Sequence, residues 1–109
     1  MTVELKYNHW YPKLLRTNAV SKEDCILLSF PSDVFDKEVL KHELTHIYQI
    51  RRLGYSKWKR QYLKEYFKNL LSGKSPYNAY RFISFEIEAF NEQSKPLTEE
   101  DKQELGLEN

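Results

Sequence analysis

His42, Glu43 and His46 fall in the stretch His42-Glu43-Leu44-Thr45-His46, an H-E-x-x-H pattern. On a helix, positions four apart lie on one face about one turn along, so both imidazoles can reach one ion. Glu43 stays on the same side and can hold and deprotonate a metal-bound water without being a ligand. The chemistry such a set supports is metal-assisted hydrolysis. Zinc suits it, because that ion takes a compact set of nitrogen and oxygen ligands and leaves one position for water. A catalytic zinc usually has three protein ligands. The remaining histidine, His9, does not lie downstream, and the single cysteine, Cys25, excludes a cysteine-based site on count. The third ligand is therefore expected to be a carboxylate on another helix. Glu86 and Glu88 are the candidates, set among Phe85, Ile87, Ala89 and Phe90. A carboxylate with apolar neighbours is costly to bury unless paired or metal-bound.

One helix must carry the histidine pair and another must bring the carboxylate to it. A chain of 109 residues predicts one domain over 1–109, with a modest core that a metal would help to anchor. The fold class expected is α+β: a small N-terminal two- or three-stranded sheet followed by three to four helices. Residues 1–30 read as strands. Val3, Leu5 and Tyr7 alternate with polar neighbours, Cys25 to Phe30 is the clearest strand, and Leu14 to Val20 is ambiguous. Ser32 or Asp33 is expected to cap an active-site helix over 33–53, with Leu40, Leu44, Ile47 and the stem of Arg51 toward the core and Gly54 ending it.

A backing helix over 56–72 follows, capped by Ser56, with an apolar stripe of Trp58, Tyr62, Leu63, Tyr66, Phe67 and Leu70. Ser75 and Pro76 open a helical region over 76–93 that is interrupted near 81–84. Pro96 stops it, and Thr98 with the acids behind it starts a short helix in the tail, 97–109.

Lys57, Arg60, Lys64 and Lys68 share one side of the backing helix, but the net charge of +1 favours a solvated face over a nucleic-acid footprint. Neither a nucleic-acid nor a membrane partner is expected. No apolar run approaches the ~18 residues of a membrane span. The N-terminus lacks the basic end and apolar core of a signal peptide, so a cytoplasmic location is expected. Cys25 reads as a strand packing residue.

With HELTH and a downstream Glu86-Ile87-Glu88-Ala89, the chain resembles the gluzincin metallopeptidases, in which H-E-x-x-H is followed by a glutamate helix often written E-x-x-A. Its size is most similar to the minigluzincins, and the resemblance covers roughly residues 25–93. It implies a zinc metallopeptidase acting on peptide or protein substrates, with one zinc per chain held by His42, His46 and Glu86 and with Glu43 as general base. Glu88 stays an alternative third ligand. Tyr77, Tyr80 and Arg81 are the candidates for stabilising the oxyanion. One departure is Phe90, which stands where gluzincins often carry an Asp that supports a ligand histidine. Support is expected from Glu88 or Asn91 instead. Small gluzincins also resemble proforms, which implies that residues 97–109, or a neighbouring molecule in a self-associated state, cover the cleft. The alternative function is a non-catalytic, zinc-stabilised module that binds through the basic backing helix.

Overall fold

The structure is a computed structural model that describes residues 3–10, 19–22, 24–31 and 35–107. Among these the fold is α+β, as expected. Strands β1 (Glu4–Lys6), β2 (Ala19–Lys22) and β3 (Cys25–Leu28) form a sheet of order β1-β3-β2. The continuous apolar run makes β3 the central strand, and Ile26 and Leu28 are fully buried. β1 pairs with it in parallel, Leu5 opposite Ile26; β2 pairs antiparallel, Val20 opposite Leu27. The alternation in β1 holds: Leu5 and Tyr7 pack on the core while Glu4 and Lys6 face outward. Of the ambiguous stretch, Ala19 and Val20 belong to β2, and residues 14–18 lie outside the described residues.

Helix α1 (Lys37–Leu53) lies on the sheet and packs Leu40, Leu44 and Ile47 against Val3, Ile26 and Leu28. It starts later than expected. Asp36 caps it, its Oδ1 accepting from the Val39 N–H at 3.1 Å. Ser32 and Asp33 lie outside the described residues. Gly54, at φ +88°, both ends α1 and opens α2 (Tyr55–Leu71): its N–H donates to the Ile50 carbonyl and its own carbonyl accepts from the Trp58 N–H. This correction removes Ser56 as a cap, because the chain turns at glycine with no residue to spare between the helices.

The apolar stripe of α2 is narrower than expected. Trp58, Tyr62 and Tyr66 pack on Ile50, Ile83 and Phe85, but Leu63 and Phe67 are exposed. The protein covers one side of α2, and Leu63 and Phe67 turn to the other.

Ser75 caps α3 (Pro76–Arg81), and the interruption falls at Phe82 and Ile83 before α4 (Ser84–Glu92). The Glu65 carboxylate of α2 closes the start of α4, accepting from the Ser84 N–H at 2.8 Å and its hydroxyl at 2.9 Å. Helix α5 (Glu99–Glu104) opens with the Thr98–Asp101 capping box.

The tail is part of the core. Leu105 is buried against α1, and the Val3 N–H donates to the Glu104 carbonyl at 2.6 Å. Asp101 is buried against Lys41 and accepts from the Tyr48 hydroxyl at 2.8 Å. At 100° per residue, Lys41 and Tyr48 lie on the flank of α1 turned away from His42 and His46. The expectation that the tail covers the histidines is thereby corrected for residues 97–107: burying Leu105 and pairing Asp101 draw them to the opposite side.

Truncation after Gln93 is therefore expected to abolish cooperative unfolding rather than release activity. Leu105→Ala is expected to destabilise by ~2–4 kcal/mol in denaturant titrations. Burial alone would raise the Asp101 carboxyl, but hydrogen bonds from Lys41, the Thr98 N–H and Tyr48 hold it below its ordinary value. Its contribution is thus present above about pH 4 and is lost as pH falls below that value.

Candidate metal centre

α1 presents His42 and His46 one turn apart, 7% and 4% exposed. α4 supplies the third group. Phe85 and Ala89 face the core, and Glu86 shares their side at 4% exposure. The fully buried Ala89 keeps the α1–α4 contact free of bulk, which lets the carboxylate reach the histidines. Glu86 Oε1 sits 2.9 Å from His42 Nε2 and 3.1 Å from His46 Nε2. The ligand atoms of His42, His46 and Glu86 lie within 4.8 Å of one another and could hold one metal ion. Glu88 is not in this cluster; it is exposed along α4 and accepts from Gln49 Nε2 at 2.6 Å. His9, after β1, stands apart from it.

Glu43 is buried at the edge of the cluster, its Oε2 4.0 Å from His42 Nε2. Ser21 on β2 lies against it, the hydroxyl 2.6 Å from Oε1 and 3.0 Å from the Glu43 carbonyl oxygen. Tyr62 on α2 donates to Glu86 Oε2 at 2.6 Å. Each histidine has an amide oxygen at Nδ1: Gln93 Oε1 at 2.8 Å for His42 and Gln49 Oε1 at 2.9 Å for His46. These four supports were not singled out from the sequence. Gln49 had a signal, since it follows His46 by three on the same helix face. Ser21 and Tyr62 had none, because only the tertiary fold brings β2 and α2 there.

The expected support for a histidine is corrected in part. Asn91 is exposed and lines a surface groove. Glu88 acts one step away, on Gln49. Phe90 packs edge-on against His42, with centroids 4.6 Å apart. Of the oxyanion candidates, Tyr77 is exposed, Arg81 lies over the Phe90 ring at 3.8 Å, and Tyr80 is half-buried with its hydroxyl near Glu86.

The charges are strongly coupled. Burial alone would raise Glu86, but hydrogen bonds from His42, His46 and Tyr62 hold it well below the carboxylate range. Burial raises Glu43; the charges of His46 and His42 and the Ser21 hydroxyl offset this only partly. Burial would lower His46, yet the Glu86 hydrogen bond, together with the charges of Glu86 and Glu43, raises it to about 9. Burial and the nearby Glu86 charge push the Tyr62 and Tyr80 hydroxyls up.

The donor chemistry fits zinc. Two imidazole Nε2 atoms and one carboxylate oxygen converge in a buried position, both Nδ1 atoms are engaged elsewhere, and no thiolate is involved. No family model matches the chain, and no curated protein or solved structure matches it.

A metal ion at this site must displace the proton on His46. Zinc titration is expected to release at least about one proton per ion near pH 7, read by calorimetry in buffers of different ionisation enthalpy. The pH dependences run in opposite directions. The His46–Glu86 contact stabilises the metal-free protein fully below about pH 6.5 and is lost as pH rises through about 9, whereas zinc affinity rises over that window.

Proposed function

We propose that the chain is a minimal zinc-dependent metallopeptidase of gluzincin type, hydrolysing peptide bonds with Glu43 as general base. The observation that carries this reading is the buried Glu43 carboxylate beside the convergent His42, His46 and Glu86. A site that only stabilised the fold would need three or four ligands and would have no use for a further buried carboxylate 4.0 Å from one of them.

His42, His46 and Glu86 would hold the zinc, which when bound lowers the pKa of a water and polarises the scissile carbonyl. Glu43 takes the water proton and returns it to the leaving amine. Its burial, which raises its proton affinity, suits a group that must accept and then give up a proton. Tyr62 holds the far oxygen of Glu86, so that the near oxygen faces the histidines. Tyr80 is the best placed of the three oxyanion candidates, because its hydroxyl lies beside Glu86 whereas Tyr77 and Arg81 line the outer groove. That groove, about 460 Å³, shares Phe90 with His42 and offers apolar and aromatic walls to a substrate side chain. The Ser21 hydroxyl occupies Glu43 Oε1, which supports a resting state in which β2, not the tail, restrains the base.

The second reading, a zinc-stabilised binding module, draws on the outward side of α2, where Phe67 and Leu71 are 56% and 90% exposed beside the exposed Arg60, Lys64 and Lys68. Glu43→Gln separates the two. It is expected to keep zinc binding and lower peptide hydrolysis by ~10²–10⁴-fold, measured with a quenched peptide library. Hydrolysis that survives would remove the general-base role; a wild type that binds zinc without hydrolysing any peptide would favour the module. Tyr80→Phe is expected to lower kcat by ~10²-fold with KM little changed.

A further inference from the structure

We infer that Gln49 is a positioning residue which fixes the tautomer of His46, so that Nε2 is the nitrogen left free for a metal ion. The inference rests on the metal-site reading above. Gln49 is 1% exposed, and such a polar side chain must be hydrogen-bonded to be tolerated there. Its Nε2 donates to the Phe85 carbonyl at 3.0 Å and to Glu88 Oε1 at 2.6 Å. Its Oε1 accepts from Trp58 Nε1–H at 3.1 Å and faces His46 Nδ1 at 2.9 Å.

The two ends of an amide look alike, and its orientation normally has to be judged from its partners. Here three partners act in one direction only. A backbone carbonyl and a carboxylate accept, and an indole N–H donates. Turning the Gln49 amide over would set its oxygen against two acceptors and its N–H groups against a donor. The orientation is therefore determined without reference to His46. An amide oxygen faces Nδ1, and the contact is a hydrogen bond only if Nδ1 carries the hydrogen. Nε2 faces Glu86 Oε1 at 3.1 Å, a hydrogen bond that a metal ion in the cluster would replace; with the hydrogen kept on Nδ1, the lone pair is then on Nε2.

The lock spans α1, α2 and α4, and it uses both N–H groups and the oxygen of one amide. It also gives Glu88 a role that its exposed position along α4 does not suggest. Glu88 is no ligand; it holds the side chain that orients one. His42 is oriented differently, by Gln93, a half-buried residue at the C-terminal end of α4.

The test measures zinc dissociation constants by chelator competition and the visible spectrum of the cobalt-substituted protein, for wild type, Gln49→Leu and the double variant Gln49→Glu/Glu88→Gln. The double variant keeps the charge of the pair and an oxygen opposite Nδ1; it reverses the donor direction between positions 49 and 88 and gives up the bond to the Phe85 carbonyl. Gln49→Leu is expected to weaken zinc by ~10–100-fold and change the cobalt spectrum, while the double variant restores both. Long-range proton–nitrogen correlation spectra of zinc-loaded wild type are expected to show the proton on Nδ1 of His46 and the metal on Nε2. This holds whether or not Gln49→Leu folds. Wild-type zinc affinity and cobalt spectrum in Gln49→Leu, losses in both variants that merely follow their metal-free melting temperatures, or metal on Nδ1 of His46 would each overturn the inference while leaving the metal site intact. A wild type that binds neither zinc nor cobalt would overturn the metal-site reading and this inference with it.

Discussion

The sharing of one carboxylate oxygen between two imidazoles is the interaction on which the rest of the structure depends. It joins α1 to α4 through Glu86 Oε1, and it exists only if both helices are held at the right distance and rotation. α1 is unusual in burying polar side chains all along its middle: Lys41, His42, Glu43, Thr45, His46 and Gln49 are all enclosed. Each must find a partner, since an unpaired buried polar group costs more than its hydrogen bond is worth when made. The partners come from the whole chain. α5 answers Lys41 with Asp101, β2 answers Glu43 with Ser21, α4 answers the histidines with Glu86, and α2 answers Glu86 with Tyr62 and Gln49 with Trp58. The elements around α1 are thus placed by hydrogen-bond demand as well as by apolar area.

The apolar area sets the frame within which those demands are met. Two clusters flank α1: Leu40, Leu44 and Ile47 with the sheet and Leu105 on one side, and Ile50 with Trp58, Ile83 and Phe85 on the other. The candidate metal ligands His42, His46 and Glu86 sit next to the second. Aromatic rings close around them, with Phe90 on His42 and Trp58 on His46. Such surroundings exclude water and strengthen every charge contact inside. They also explain why the protonation of His46, Glu43 and Glu86 is so strongly coupled: no solvent shell is available to screen them.

How much of this was legible follows from which interactions are local in sequence. His42, Glu43 and His46 declared themselves because helix periodicity puts them on one face. Glu86 and Glu88 were picked out together because a carboxylate set among Phe85, Ile87, Ala89 and Phe90 needs a partner, and only the E-x-x-A resemblance favoured Glu86. The alternating Val3, Leu5 and Tyr7, the break between α3 and α4, and the caps at Ser75 and Thr98 are also short-range features, and the structure has them. What was missed is long-range. That Leu63 and Phe67 would face outward depends on which side of α2 the rest of the chain covers. That the tail would dock behind α1 depends on Leu105 finding the sheet–helix core and on Asp101 finding Lys41. The cap at Asp36 illustrates a smaller limit: Ser32, Asp33 and Asp36 have equivalent capping chemistry, and only the register against the sheet chooses among them.

The charge balance of the cluster sets what binding an ion there would require. Two buried carboxylates, Glu43 and Glu86, lie within reach of two imidazoles. Their negative charge can be offset by the proton on His46 or by a divalent cation between neutral rings. Metal binding at such a site would exchange the hydrogen bonds between Nε2 and Glu86 for bonds to the ion, while the contacts at Nδ1 need not be remade. The Nδ1 contacts to Gln49 and Gln93 are common to both states, because Nδ1–H is a donor in the imidazolium and in the metal-bound imidazole alike. A scaffold that holds those two contacts fixed therefore has the ligand geometry ready before the ion arrives, which lowers the reorganisation that binding would otherwise require.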